Sequence, residues 1–98
     1  MHDNMYEVIG AALKYLGYSW NSDVESELME AKAVLMKQKP RVMAYDSWPR
    51  RALVEEEAWI SSTWDGDAWL VHNEDLDTLK AVLPEEGTFV SANTDFIP

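Results

Sequence analysis

The 98-residue chain has no cysteine, few basic residues and no long apolar run. Without cysteine there are no disulfides, no thiolate chemistry and no cysteine-ligated zinc. The lack of cysteine does not identify the cellular compartment, because many secreted bacterial proteins also lack it. No stretch approaches the roughly 18 apolar residues of a membrane span. The first seven residues lack the basic start and the apolar run of a signal peptide. As written, the sequence predicts a cytoplasmic product without membrane insertion.

Acidic residues dominate the charge. There are 18 of them against 8 basic residues, which gives a formal net charge of −10. This excess disfavours nucleic acid, whose affinity comes from Lys and Arg, and favours cationic partners, although solubility alone is the simpler interpretation. The hydrophobic fraction of 47% is too high for a disordered acidic tail. We therefore expect residues 1–98 to form a single domain with one core.

Helical and strand-like patterns alternate along the chain. Apolar spacing predicts helices over residues 5–16, ended by Gly17, over 22–37, from 48–49 onward, and over 68–73. Asn4 and Glu7 fit a capping pattern for the first helix. Beta-prone residues predict strands at 41–45, 58–63 and 79–83, with a turn at 64–67, another at 84–87 and extended chain over 88–97. The predicted fold is α/β, with a short central sheet flanked by helices.

The sequence has few residues in the patterns that are typical of catalytic or metal-binding sites. The sequence has no glycine-rich phosphate loop and no nucleophile elbow, and its two histidines are far apart, with His2 expected at a frayed terminus and His72 on a helix surface. A zinc site needs more His or Cys ligands than this chain has. We therefore predict a protein that is not an enzyme, with no metal and no cofactor.

Tryptophans and carboxylates are concentrated between Trp59 and Trp69, at the end of a predicted strand and the start of a helix. An indole face beside a carboxylate suits an alkylammonium, because the ring attracts the cation and the carboxylate accepts its N–H bonds. Trp64 with Asp65 and Asp67 is the candidate for such a site. The alternative is that Trp59 and Trp69 belong to the core and that the two aspartates cap the helix.

Seven short blocks together resemble one lobe of the bacterial spermidine/putrescine-binding proteins of polyamine importers. In order, they are DNMYEV at 3–8, ALKYLGY at 12–18, KPRV at 39–42, AYDS at 44–47, WDGDA at 64–68, PEEG at 84–87 and FIP at 96–98. The resemblance extends over residues 3–98. It implies a partial lobe of a type II periplasmic-binding-protein fold, from a two-lobed receptor that closes on a linear polyamine.

The resemblance also implies roles for particular residues. By position, Glu7 is an amine-binding acid, Trp64 is the aromatic wall of the cleft, and Asp67 is a further carboxylate of putrescine-type members. Three other cleft positions differ from those of spermidine-type members. Asn4 stands where those members have an acid, Ser91 where they have a tryptophan, and Asn93 where they have an aspartate. The implied ligand is a polyamine such as spermidine or putrescine, held at most weakly because the other lobe is absent.

The resemblance further implies a gap in the sheet. In the family a strand precedes the first helix and lies between strands equivalent to 42–45 and 58–63, whereas this sequence starts at the helix. We expect either a rearranged sheet, with residues 88–97 moved inward, or strand exchange in a homo-oligomer, because open strand edges promote association.

Two functions remain open at this point. One is a free-standing relative of the polyamine-binding lobe with a residual amine site. The other is a protein-interaction or oligomerisation module in which the former cleft face, with Ser91 and Asn93, is an interface and no ligand is bound. The chain is also compatible with an expressed piece of a longer receptor, which would then be periplasmic.

Overall fold

The computed structural model describes residues 1–74, 78–92 and 94. Its regular structure is helical, with α1 at Met5–Tyr15, α2 at Glu25–Gln38, a 3-10 turn at Lys39–Arg41, α3 at Arg50–Val54 and α4 at Asp65–Glu74. None of the helices in this part of the chain has the length and the apolar character needed to cross a membrane.

The first helix begins at the predicted residue and ends one residue before the predicted end, and its two ends explain these boundaries. The side-chain oxygen of Asn4 accepts a hydrogen bond from the backbone N–H of Tyr6, which satisfies a donor in the first turn. At the other end Gly17 has a φ of 85°, and the N–H of Tyr18 donates to the carbonyl of Leu13 at 2.9 Å. A glycine in the left-handed region allows this closing bond, so the predicted stop at Gly17 is confirmed.

The core lies between α1 and α2. Ala12 and Leu13 of α1 and Ala31 of α2 are buried. Five partly buried residues pack around them: Ile9, Leu16, Tyr18, Leu28 and Leu35. The second helix was expected to be capped by residues 22–23, but it begins at Glu25 after Val24.

The helices α3 and α4 form a second, smaller pair. Leu53 of α3 and Val71 of α4 are its buried apolar residues. The short helix expected from residues 48–49 is confirmed as α3. The helix expected at 68–73 begins earlier, because Asp65 and Asp67 form its acidic first turn and suit the positive end of the helix dipole. The turn predicted at 64–67 is therefore wrong.

The predicted central sheet is also wrong. Within the described residues there is no β-strand, and the segments 41–45, 58–63 and 79–83 do not pair with one another. A strand requires a neighbour for its backbone groups. Within the described residues, the backbone groups of 42–46 pair with Met1 and, at Val42, with Lys39. The rearranged-sheet version fails too, because the described part of 88–97 contains no strand. The predicted turn at 84–87 is confirmed by a bond from the N–H of Gly87 to the carbonyl of Pro84.

The described helices bury apolar residues in two places, one between α1 and α2 and one in the pair of α3 and α4. The Cα radius of gyration is 15.1 Å, against about 13 Å for a compact domain of this length. Trp59 and Trp69 are 92% and 66% exposed, so the alternative interpretation that placed them in the core is wrong. Other large apolar side chains that remain on the surface include Ile60, Val82, Leu83 and Val90.

Candidate functional site

His2 is the buried centre of a polar and aromatic cluster at the start of α1. Only 5% of the residue is exposed, and its backbone N–H donates to Ser62 Oγ at 2.8 Å. The imidazole meets the indole of Trp64 edge-on, with ring centroids 5.1 Å apart at 87°. The expectation of a frayed terminus at His2 is wrong, because burial and these contacts hold the residue in place.

Glu7 also contacts His2, through its carboxylate. Its Oε2 lies 3.3 Å from His2 Nδ1, and its Oε1 accepts a hydrogen bond of 3.0 Å from the side-chain amide of Asn4. The Glu7 side chain is 16% exposed. The expected capping pair is thus present in altered form, since Glu7 reaches the side chain of Asn4 and not its backbone. Glu7, Asn4 and Trp64, three residues singled out in the sequence, are brought together through His2.

The carboxylate of Glu7 has accepting capacity left at Oε2. Among the described residues, the hydrogen bond that Glu7 accepts goes to its Oε1. His2 Nδ1 accepts a hydrogen bond of 3.1 Å from the backbone N–H of Asn4. Among the described residues His2 Nε2 has no hydrogen-bond partner although it is buried. A cation with N–H groups would supply what Oε2 lacks.

Further aromatic rings contact this group of residues through Trp64. Trp64, which is 38% exposed, contacts Phe89 at 6.1 Å between centroids, and Phe89 contacts Trp20 at 4.7 Å. The indole of Trp20 lies over α1 at Gly10, where a glycine leaves room for it. We name His2, Asn4, Glu7, Trp64 and Phe89 the His2 cluster. Nothing in the local sequence pattern indicated that His2 or Phe89 would join this site.

A second carboxylate lies near the cluster. Asp3 is half exposed, and its Oδ1 is 3.7 Å from His2 Nδ1 and accepts a hydrogen bond from Ser47 Oγ. This bond ties the segment before α1 to the chain before α3. Asp3 and Glu7 thus place two carboxylates beside one imidazole, so the surroundings of His2 attract positive charge.

The other predicted site residues lie elsewhere. Asp67 lines a separate groove between α3 and α4, together with Trp48, Arg50, Arg51, Val54, Glu55 and Leu70. Ser91 is exposed, and Asn93 is outside the described residues. The candidate site is thus smaller than the sequence suggested, and Asp67 lies beside α3 because it belongs to the first turn of α4.

The chain is similar to curated proteins named for polyamine binding. It is 30% identical over 94 residues to a putrescine/cadaverine-binding protein of Pseudomonas aeruginosa, covering 96% of this chain and 24% of that protein. It is 34% identical over 86 residues to the spermidine/putrescine-binding periplasmic proteins of Salmonella typhimurium and Salmonella typhi, covering 87% of this chain and 24% of each. No family model matches the chain, and no solved structure matches it.

The extent of the match limits what it implies. The chain spans about a quarter of the length of the curated relatives it matches. None of the three names describes an enzyme, and two of them include the word periplasmic. Nearly all of this chain is therefore similar to one segment of proteins named for binding spermidine, putrescine or cadaverine.

Proposed function

We propose that the His2 cluster binds one ammonium group of a linear polyamine such as putrescine, and that it does so weakly. The observation that carries the proposal is the contact of Glu7 and Trp64 with the same buried imidazole. The ammonium would donate to Glu7 Oε2 while its methylenes cover the exposed part of Trp64. Asn4 holds the other carboxylate oxygen and so fixes the direction of Glu7.

Two further observations support this ligand class. The net charge of −10 raises the local concentration of cations around the chain. The relatives are named for binding diamines and spermidine. Asp67 lies in a different groove, so it is not part of the ammonium contact that we propose.

We expect a low affinity for the polyamine, because the His2 cluster contacts the ligand from one side. A micromolar site that encloses its ligand corresponds to about −8 kcal/mol, and half of that free energy leaves about −4 kcal/mol, or a Kd near 1 mM. The site therefore needs millimolar polyamine for occupancy.

Tryptophan fluorescence with putrescine up to ten millimolar tests the proposal. Trp64→Ala should abolish the response, while Trp59→Ala is the matched control, because Trp59 is 92% exposed and has no ring contact among the described residues. Trp20 is unsuitable as a control, since it packs on Phe89. A wild-type response that survives Trp64→Ala and disappears with Trp59→Ala would overturn the assignment of the site.

The second candidate function is association through the face that carries Ser91. It is favoured by the exposure of the neighbouring Val90, whose side chain is 95% accessible. Introducing a charge with Ser91→Glu should lower the mass of any oligomer measured by sedimentation, whereas the charge-matched Ser26→Glu on the exposed side of α2 should not. A monomeric wild type at micromolar concentration would remove this candidate.

A further inference from the structure

One nitrogen of the buried His2 imidazole lies close to a hydrogen-bond donor and to two carboxylates. Nδ1 is 3.1 Å from the backbone nitrogen of Asn4, 3.3 Å from Oε2 of Glu7 and 3.7 Å from Oδ1 of Asp3. A nitrogen with a lone pair accepts from the N–H, whereas a protonated nitrogen donates to a carboxylate, so Nδ1 cannot do both at once. The charge of the imidazole therefore decides which partner it has.

The surroundings of the imidazole can accommodate either charge. The side chain of Glu7 is 16% exposed and that of Asp3 is 50% exposed, so both carboxylates are at least partly shielded from water. Ser62 and Trp64, which contact His2 from a separate segment, are uncharged. A positive charge on the imidazole would be paired inside the protein, as a buried charge requires.

Two further charged groups lie near Met1, and each has a partner of its own. The positive amino group of Met1 donates to the carbonyl of Ala44 at 2.9 Å. The carboxylate of Asp46 accepts from the N–H of Trp48 at 2.8 Å. The two carboxylates beside Nδ1 are therefore the charges that respond most directly to a proton on the imidazole.

We propose that His2 is a proton switch on the amine site, through which a fall in pH releases the polyamine. When the imidazole is neutral, Nδ1 accepts from Asn4 and leaves Glu7 Oε2 to the ammonium group of the ligand. When a proton from solvent binds Nδ1, the new N–H donates to Oε2 and occupies the acceptor that the ammonium needs. The charged ring, with its centroid 5.1 Å from that of Trp64, also repels the ammonium. This regulation rests on the proposed amine site.

Proton binding and putrescine binding should oppose each other. An imidazole ordinarily changes its charge between about pH 5 and 8, whereas an alkylammonium stays charged there, as a lysine side chain does. When only the neutral imidazole permits binding, the Kd one pH unit below the midpoint of the His2 titration is about tenfold higher than well above it. By the same linkage, putrescine at ten times its Kd should lower that midpoint by about one pH unit.

An NMR titration of the full chain at constant ionic strength, with and without putrescine, measures both effects. It covers about pH 5.5 to 8, since carboxyl side chains ordinarily titrate near pH 4. The second histidine, His72, is exposed on α4 and serves as the reference imidazole. We expect the imidazole of His2 and the backbone N–H of Asn4 to titrate with one midpoint. Putrescine should lower this midpoint and leave that of His72 unchanged.

Two matched pairs of variants separate the switch from a structural role of His2. His2→Asn retains an acceptor near the position of Nδ1 and cannot be protonated, so its putrescine Kd should not depend on pH, whereas His72→Asn should keep the dependence. Circular dichroism at the helix band checks the fold of both. In the absence of putrescine, Glu7→Gln should lower the midpoint of His2, because the charged imidazole loses its acceptor, and the exposed Glu57→Gln should not.

The outcomes distinguish the switch from the amine site itself. An equal midpoint for His2 in Glu7→Gln and Glu57→Gln overturns the switch, and this comparison does not require a folded His2→Asn. A putrescine Kd that is the same at both ends of the pH range, or that still depends on pH in folded His2→Asn, also overturns it. Absence of putrescine binding at every pH, together with the lowered midpoint in Glu7→Gln, refutes the amine site and supports the contact of the charged His2 with Glu7.

Discussion

Gly10 offers a stability test in which two physical effects have opposite signs. It is a buried residue within α1, where glycine weakens a helix by about 1 kcal/mol relative to alanine. By helix propensity alone, Gly10→Ala would stabilise the protein. The structure reverses this expectation, because a Cβ at Gly10 would lie 2.2 Å from Cε2, 2.3 Å from Nε1 and 2.7 Å from Cδ2 of Trp20.

Three ring atoms at these distances cannot be relieved by a small rotation, so the whole indole has to move. Overpacking of this kind costs about 1–3 kcal/mol. The displaced ring also loses its pairing with Phe89, which adds about 0.5–1.5 kcal/mol. After subtracting the gain in helix propensity, we expect Gly10→Ala to lower the free energy of unfolding by about 2 kcal/mol.

Urea unfolding followed by circular dichroism at the helix band measures this difference without relying on tryptophan emission. Gly66→Ala is the matched control, since Gly66 lies in the first turn of α4 and a Cβ there meets nothing within 4 Å. It should be neutral or stabilise the protein by up to about 1 kcal/mol. If Gly10→Ala stabilises the chain as much as Gly66→Ala does, the position of Trp20 over α1 is refuted.

Three further predictions concern the core, one tyrosine and the amine site. Leu13→Ala should lower the free energy of unfolding by about 2–5 kcal/mol in the same urea assay, because Leu13 is 1% exposed between α1 and α2; a loss below about 1 kcal/mol would contradict that packing. The hydrogen bond from Tyr18 to Glu30, with added repulsion from carboxylates, raises the pKa of Tyr18 above its ordinary value of 10.0. Because the folded pKa is the higher one, the stabilisation is complete below pH 10 and is lost as pH rises through the folded pKa. Ultraviolet titration should therefore show Glu30→Gln lowering this pKa, and an unchanged value would refute the contact. Glu7→Gln should remove the fluorescence response to putrescine, whereas Glu57→Gln, on an exposed residue after α3, should retain it; equal loss in both would indicate a nonspecific charge effect.

The helices could be predicted from sequence because their signals are local. The apolar spacing of α1, its cap at Asn4 and its glycine stop at Gly17 all lie within about 15 residues of chain, and the structure confirms all three. The 84–87 turn is equally local. Such features depend on backbone preferences and neighbours a few residues away.

The sheet could not be predicted in the same way, because a strand depends on a partner that may be distant. Residues 42–46 and 58–63 have strand-forming composition, but between them the described chain supplies only Met1 and His2. Strand propensity therefore predicted that these two segments are extended, but it could not predict whether they pair with a neighbour. The exposure of Trp59 and Ile60 has the same cause, since side chains of an unpaired segment have no second layer to pack against.

The candidate site was predicted in part. Glu7, Asn4 and Trp64 come together, but the residue that joins them, His2, is 62 positions from Trp64 and has no local pattern to indicate its burial. Asp67 was placed with Trp64 because they are close in sequence, yet the first turn of α4 directs it to the groove beside α3. Tertiary contacts, and not spacing, decide the membership of this cluster.

The most direct test of the amine site is an NMR titration of the full chain with putrescine, following the indole N–H signals and the imidazole of His2. Because the proposed ligand contacts both Glu7 and Trp64, we expect the signals of Trp64 and His2 to shift together, with one Kd near 1 mM. The indole of Trp59, which lies outside the cluster, should not move. Shifts of Trp59 as large as those of Trp64, or no shift of Trp64 and His2 at ten millimolar, would contradict the account.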